Sequence, residues 1–324
     1  MKERNTPLDL INILADAQVH SGEQLGDKLG MTRAAINKHI KTLRSWGVNV
    51  QTVTGKGYKL PFPINLLNED TIKQRVDDVN IIVEPVIDST NQYMLERITE
   101  LQSGDTCLAE YQSAGRGRRG RQWISPFGCN LYLSMYWKLD QGPAAAIGLS
   151  LVVGIVVAET LNKLIGNKVK VKWPNDLYMN DKKLAGILVE LTGKTGDAAH
   201  IIIGIGINIG MNKENSDSSE NITQAWSSLS DEFENIERNE LSANIIQALR
   251  NSLVLFEKEG LKSFLERWVE LDNFLNRNVK LLIGNEIITG IERGINEQGA
   301  LLLQKDNGGI IPYIGGEISL RPNE

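Results

Sequence analysis

The sequence predicts an α+β multidomain chain, with a winged helix-turn-helix over residues 1–62, a central mixed α/β domain over 63–272 and a small β-barrel over 273–324. It does so on three grounds. The first sixty residues combine helix-start patterns with a Gly-Lys-Gly turn and a local basic excess. The middle alternates apolar strands with glycine-rich loops and apolar helical stretches. From Val279 onward, short strands alternate with Gly-Asn, Asn-Glu-Gln-Gly and Asp-Asn-Gly-Gly turns. With 324 residues, 41% of them apolar, the chain has material for two or three cores.

The first domain reads element by element. Leu8, Ile11 and Leu14 recur at helical spacing after Pro7, which suits an early helical position. Ser21 followed by Gln24 is a capping-box pattern, and Gly30 is placed to end that second helix. Thr32 caps a third helix with Ile36, Ile40 and Leu43 as its apolar stripe. β-Branched stretches at 48–54 and 58–60 follow, joined by Gly55-Lys56-Gly57 in a tight turn. On a recognition helix, Arg33 and Asn37 can reach base edges, while Lys38, Lys41, Arg44 and the wing's Lys56 can meet phosphates. A three-helix domain with a solvated basic face is the alternative. Pro61-Phe62-Pro63 breaks regular structure and marks a linker and boundary.

Charge supports a polyanion partner for this segment alone. Net charge is -5, yet residues 1–60 hold nine lysines and arginines against five acidic residues, and 33–60 hold six basic and no acidic ones. Cys107 and Cys129 have no partner spacing for a disulfide framework or zinc site. The N-terminal Met1-Lys2-Glu3-Arg4-Asn5 precedes no apolar run of signal-peptide length, so a cytoplasmic location is expected. Residues 144–165 are apolar but interrupted by Gly148, Gly154, Glu159, Asn162 and Lys163, and are expected to form a buried helix with no membrane role.

Three segments of the central domain carry chemistry. Gly115-Arg116-Gly117-Arg118-Arg119-Gly120-Arg121 contains a literal G-x-G-x-x-G, with Asp140 about 20 residues on. A dinucleotide fingerprint must open a helix, and a strand from Leu131 leaves no room for one, so the reading is an anion-binding glycine loop bearing four arginines. A loose RNA-binding Arg-Gly tract is its alternative. In Trp173-Pro174-Asn175-Asp176, Pro174 ends a strand and presents Asn175 and Asp176 near Lys172 and Lys183, a set that suits Mg-ATP, although Asn-Asp after Pro also makes an ordinary turn. Gly204-Ile205-Gly206-Ile207-Asn208 ends an apolar strand where small residues permit a ligand's approach or, equally, a bulge. Asp88-Ser89-Thr90-Asn91 reads as an N-cap for a helix through Tyr93, Leu95 and Ile98.

Together these segments, with Lys-Trp-Pro-Asn-Asp-Leu and Lys-Leu-Ala-Gly-Ile-Leu-Val-Glu, resemble the bacterial bifunctional biotin-protein ligases and biotin operon repressors along essentially the whole chain. The resemblance implies a catalytic domain like that of class II aminoacyl-tRNA synthetases and an SH3-like C-terminal barrel. It implies that Ser89, Thr90, Asn91, Gln112, Gly115, Arg116, Gly117, Arg118, Lys183, Gly186 and Gly204 contact biotin. It places Arg119, Arg121, Trp123, Lys172, Asn175, Asp176, Asn208 and Trp226 on the nucleotide side, with Lys183, Arg118 and Asp176 catalytic and Asp176 also a metal ligand. The polar stretch 211–221 resembles a nucleotide-covering loop, and Arg321 is a candidate phosphate contact or a surface charge.

The implied substrates and cofactors are biotin, ATP and Mg2+, with biotinyl-5'-AMP as intermediate and corepressor. Implied partners are the biotin carboxyl carrier protein of acetyl-CoA carboxylase, operator DNA of biotin biosynthesis genes, and a second copy when the adenylate is bound. Two other readings stand beside this one: a ligand-sensing regulator without catalysis, and a lipoate- or octanoate-type protein acyltransferase.

Overall fold

The computed structural model describes residues 6–194, 196–211, 224–284, 286–314 and 318–322. Helices α1 (Thr6–Leu14), α2 (Gly22–Leu29) and α3 (Arg33–Ser45) close over Leu10, Leu14, Leu25, Ile36 and Ile40. Ser21 Oγ accepts Gln24 N at 3.0 Å while Gln24 Oε1 accepts Ser21 N at 2.9 Å, the reciprocal box that starts α2. Gly30, at φ 66°, ends it, and Thr32 Oγ1 accepts Ala35 N at 3.3 Å to open α3. The wing is shorter than expected: β1 (Gln51–Val53) pairs with β2 (Gly57–Lys59), because Val48 and Val50 turn into the helical core. Gly57 has φ 140°, and a Cβ there would strike the His20 carbonyl oxygen, so this turn position requires glycine.

The winged helix is not an isolated body on a linker. Trp46 stacks on Phe127 (5.8 Å between centroids, 18°) and on Tyr111 (5.9 Å, 28°), and Phe127 N donates to Trp46 O at 2.9 Å. Residues 61–68 form no helix or strand, yet the chain is tied down there. Arg238 donates to Asn65 O at 2.7 Å, Asn239 Nδ2 donates to Leu66 O at 3.1 Å, and a buried Arg238–Glu110 ion pair at 2.8 Å stands beneath both.

After α4 (Glu69–Lys73), the central domain comprises β3 (Ile81–Ile87), α5 (Thr90–Glu96), β4 (Thr106–Gln112), β5 (Leu131–Leu139), α6 (Leu149–Ile165), β6 (Val169–Lys172), β7 (Asp176–Met179), β8 (Lys182–Thr192), β9 (Ala199–Ile207), α7 (Arg238–Glu259) and α8 (Leu265–Leu271). Its seven strands lie in the order β3-β4-β5-β9-β8-β7-β6, and only the β3–β4 pair is parallel. Strand alternation turns Leu131, Leu133, Met135 and Ile201, Ile203, Ile205, Ile207 toward the core that α6 and α7 complete. On the opposite face, Tyr136 and Ile202 pack with Met94 of α5. Pro143–Ile165, 23 residues containing an 18-residue stretch of mean hydropathy 2.1, is by length and composition apolar enough to cross a membrane. In the fold, Gly148 at φ 82° breaks it, and α6 buries most of its residues against the sheet.

The C-terminal domain is a five-stranded antiparallel sheet in the order β13 (Ile310–Tyr313), β12 (Leu301–Gln304), β11 (Glu286–Ile295), β10 (Asn278–Ile283), β14 (Ile318–Pro322). Val279, Leu281, Leu301 and Leu303 join the central core, and Trp173 Nε1 reaches across to donate to Gly299 O at 2.9 Å.

Candidate active site

Register assembles the site. Residues directly opposed in a sheet share a face, and one transverse row runs Lys172–Asp176–Gly186–Gly206–Tyr132 across β6, β7, β8, β9 and β5. The next row, Leu188–Gly204–Ser134, lies beside it. Glycines in both rows hollow the sheet surface into a cleft of about 1250 Å³.

The floor at the α5 end is a hydrogen-bonded polar network. Gln112 Oε1 accepts from Thr90 N (2.9 Å) and Thr90 Oγ1 (3.1 Å), while Gln112 Nε2 donates to Ser125 Oγ at 2.9 Å. Ser134 Oγ donates to Thr90 Oγ1 at 2.7 Å. Ser89 sits at the N-cap of α5 as expected, but its side chain makes no capping bond and lines the cleft instead. Asn91 donates to Glu190 Oε2 at 2.7 Å, and a Cβ on Gly204 would strike the Asn91 amide.

The arginine loop folds over this floor. It is ordered by backbone, with a single 3-10 turn at Arg118–Gly120 and an Arg116–Gln122 bridge, and it leads to β5 without opening a helix. Trp123 N donates to Gly115 O at 2.8 Å, and the indole lies over the glycine row: a Cβ on Gly206 would strike it and one on Gly186 would stand 3.0 Å from it. Arg116 pairs with Glu190 at 2.7 Å, and Arg118 Nη1 donates to Asn175 Oδ1 at 2.8 Å.

Beneath the loop, Lys183 Nζ stands 2.7 Å from Asp176 Oδ1 and 5.6 Å from the Trp123 ring centroid. Burial, and after it the charge of Arg119, hold Arg118 below its ordinary value, with Asp176 acting in the opposite sense. Cations crowded together in this way favour an anionic ligand between them. Burial pushes both thiols, Cys107 and Cys129, up to about 12, which leaves neither as a nucleophile.

Of the residues expected at biotin or nucleotide, Ser89, Thr90, Asn91, Gln112, Arg116, Gly117, Arg118, Arg119, Arg121, Trp123, Lys172, Asn175, Asp176, Lys183, Gly186, Gly204, Asn208 and Trp226 all line this one cleft. Gly115 does not. It is buried behind the loop, where a Cβ would meet Trp123 O and Ser125 Oγ. Trp226 reaches the cleft through a parallel bridge to Lys183. Of the stretch 211–221 only Met211 falls within the described residues, and the side chain of Arg321 lies outside them.

Gly206, within the small-residue segment singled out in the sequence, lines the cleft, whereas sequence reasoning missed Leu188 and Tyr178, which line it too. The signal was available, since each stands two residues beyond an expected site residue on the same strand face. Lys280, Leu282 and Ile287 of the C-terminal sheet line it as well, and nothing local in the sequence announces them.

The six residues expected at DNA are all exposed on α3 and the wing. Two are engaged within the domain: Arg44 donates to Val50 O (2.8 Å) and Thr52 Oγ1 (2.8 Å), bracing the wing, and Asn37 Oδ1 accepts from the Tyr58 hydroxyl.

Three family profiles match the chain: an HTH domain over residues 8–59, the biotin/lipoate A/B protein ligase family over 83–208, and the biotin protein ligase C terminal domain over 274–321. The bifunctional ligase/repressor BirA of Salmonella typhimurium is 64% identical over 324 residues, covering all of both chains, and that of Escherichia coli is 63% identical over the same span. Among solved structures, a biotin protein ligase from Aquifex aeolicus in complex with biotin and ATP aligns with a TM-score of 0.64 at 30% identity, covering 75% of this chain and 99% of that one. Full-length identity at this level, on a chain whose winged helix, arginine-roofed cleft and C-terminal sheet follow in that order, makes it a member of the biotin protein ligase family, in its bifunctional ligase/repressor branch.

Proposed function

We propose that the cleft joins biotin to ATP and then passes the biotinyl group to a lysine of a biotin carboxyl carrier protein, while the winged helix represses biotin biosynthesis genes when the adenylate is bound. The observation that carries the catalytic reading is the row Lys172–Asp176–Gly186–Gly206, with Arg118 and Lys183 beside it. It places cations and one carboxylate against a floor emptied of side chains.

The network of Ser89, Thr90, Asn91 and Gln112 holds the polar ring of biotin, leaving its carboxylate near Lys183 and Arg118. A carboxylate oxygen attacks the α-phosphorus of ATP, the Pα–O bond to pyrophosphate breaks, and biotinyl-5'-AMP remains. Lys183 and Arg118 stabilise the charge that builds between carboxyl and phosphate. The acceptor's neutral lysine amine then attacks the acyl carbon; AMP leaves and the nitrogen sheds a proton. Trp123 and the arginine loop, lying over the glycine row, shield the mixed anhydride from water. Asp176 suits a magnesium ion carried by the phosphates. Among the described residues no cluster of three His, Cys, Asp or Glu exists, so phosphate and water would complete such an ion's shell.

The test is pyrophosphate release with biotin, ATP and magnesium, followed by transfer to an acceptor domain, for wild type, Lys183→Ala and Arg118→Gly. Biotin-dependent release damaged by both substitutions is expected; adenylate binding without release would favour a non-catalytic sensor. Lipoate is expected not to compete. For repression, the adenylate-bound chain pairs and sets two α3 helices on a palindromic site, Arg33 and Lys38 among the contacts. Sedimentation and operator affinity that ignore the adenylate would overturn this part.

A further inference from the structure

We propose that Tyr178 is a positioning residue for the nucleotide half of the cleft: its hydroxyl directs the Lys172 ammonium and pins Gln224, two residues before Trp226. The inference rests on Lys172 being a nucleotide contact.

The geometry is convergent. Tyr178 stands two residues beyond Asp176 on β7 and so shares its cleft-facing side. Lys172 Nζ donates to the Tyr178 hydroxyl at 2.8 Å, at the hydroxyl end of the ring, so the hydroxyl fixes the ammonium. Lys172 is 7% exposed, and an ammonium at that depth requires fixed partners. Gln224 Nε2 donates to the same hydroxyl at 2.7 Å. Immediately after Gln224 the chain zips onto Lys183, whose N donates to Ala225 O at 3.1 Å and whose O accepts from Ser227 N at 2.9 Å.

The hydroxyl therefore joins Lys172 on β6 to the segment running past Lys183 and Trp226. The ring is held independently, edge-on against Phe274 at 6.1 Å and 71°. A tyrosine serving only to fill the core would need that ring contact, whereas the hydroxyl's partners include an active-site cation and the segment that borders it.

Tyr178→Phe keeps the ring and removes the hydroxyl. In the full-length protein, with saturating biotin, the KM for ATP in pyrophosphate exchange is expected to rise about ten-fold, the size of one hydrogen bond to a charged group. The biotin Kd measured by calorimetry without nucleotide is expected to stay within about two-fold, and Tyr178→Phe is expected to add nothing further in a Lys172→Ala background. Three results overturn the proposal. An unchanged KM in Tyr178→Phe beside a raised KM in Lys172→Ala removes Tyr178 and leaves Lys172 standing. An unchanged KM in Lys172→Ala removes the reading of Lys172 and the proposal with it. A biotin Kd that shifts as much as the KM for ATP makes Tyr178 a purely structural residue.

Discussion

The two faces of the central sheet are built from the same strands and do opposite things. On β9, Ile201, Ile203, Ile205 and Ile207 face α6 and α7 and are essentially unexposed, while Gly204 and Gly206, interleaved with them, face the cleft. One face gains stability by filling space; the other gains chemistry by emptying it. A single strand thus encodes both, because its side chains alternate with period two. The two faces should accordingly respond to mutation through different observables.

Ile203→Ala should cost about 2–5 kcal/mol of folding stability by opening a core cavity. Denaturant melts and KM values measured together check it, and a raised biotin KM at unchanged stability would break the division. Lys183→Ala should do the reverse, losing about 3–4 kcal/mol of transition-state stabilisation, a factor on the order of 10²–10³ in pyrophosphate release, with the melting temperature little changed.

Gly206→Ala sharpens the boundary, since its Cβ would push against the Trp123 indole. The overpacking is worth about 1–3 kcal/mol. Because Trp123 lies on a loop, the loss should appear in biotin affinity, read by tryptophan fluorescence titration, before it appears in stability.

The smallest expected effect lies outside both faces. Burial, and then the charge of Asp272, push the Glu292 carboxyl up to about 8, and burial raises Asp272 as well. Trp268 Nε1 donates to Asp272 Oδ2 at 2.8 Å and Gly294 N donates to Glu292 Oε1 at 2.5 Å, where α8 meets the C-terminal sheet. The native state holds a proton that the unfolded chain releases near the ordinary glutamate value of 4.5. Stability from this group is therefore complete below 4.5 and is lost as pH rises toward about 8. Glu292→Gln should flatten that decline in a series of melting temperatures while leaving pyrophosphate release at neutral pH unaltered. A decline equally steep in the variant would assign it to other groups.

Local patterns were read correctly where the physics is local. The Ser21–Gln24 box, the left-handed Gly30 and the Thr32 cap each depend on a few neighbouring residues, and each forms as expected. The motifs around 115–121, 172–176 and 204–208 were recognisable because their residue types suit anions and close approach, while 89–91 reads locally as an N-cap and joined the site, with Gly186, through the family resemblance. Other features needed partners from distant segments. Trp46 shows in sequence as an apolar residue after a helix, and only Tyr111 and Phe127 make it a seam between domains. Arg44, grouped by charge with the DNA-facing residues, is exposed but tied to the wing by the Val50 carbonyl and the Thr52 hydroxyl.

The sequence by itself therefore determined the domain order, the helix caps and the basic character of the first domain, since capping, alternation and charge are properties of short stretches, and its family resemblance pointed to eighteen of the residues that line the cleft. Tertiary structure alone decided which of those residues stand side by side. Lys172, Asp176, Gly186 and Gly206 form one row through the pairing register of four strands, and Lys280, Leu282 and Ile287 reach the cleft only because the C-terminal sheet packs there. A register is set by contacts along whole strands and by the cores they bury, so no single stretch of the chain contains it.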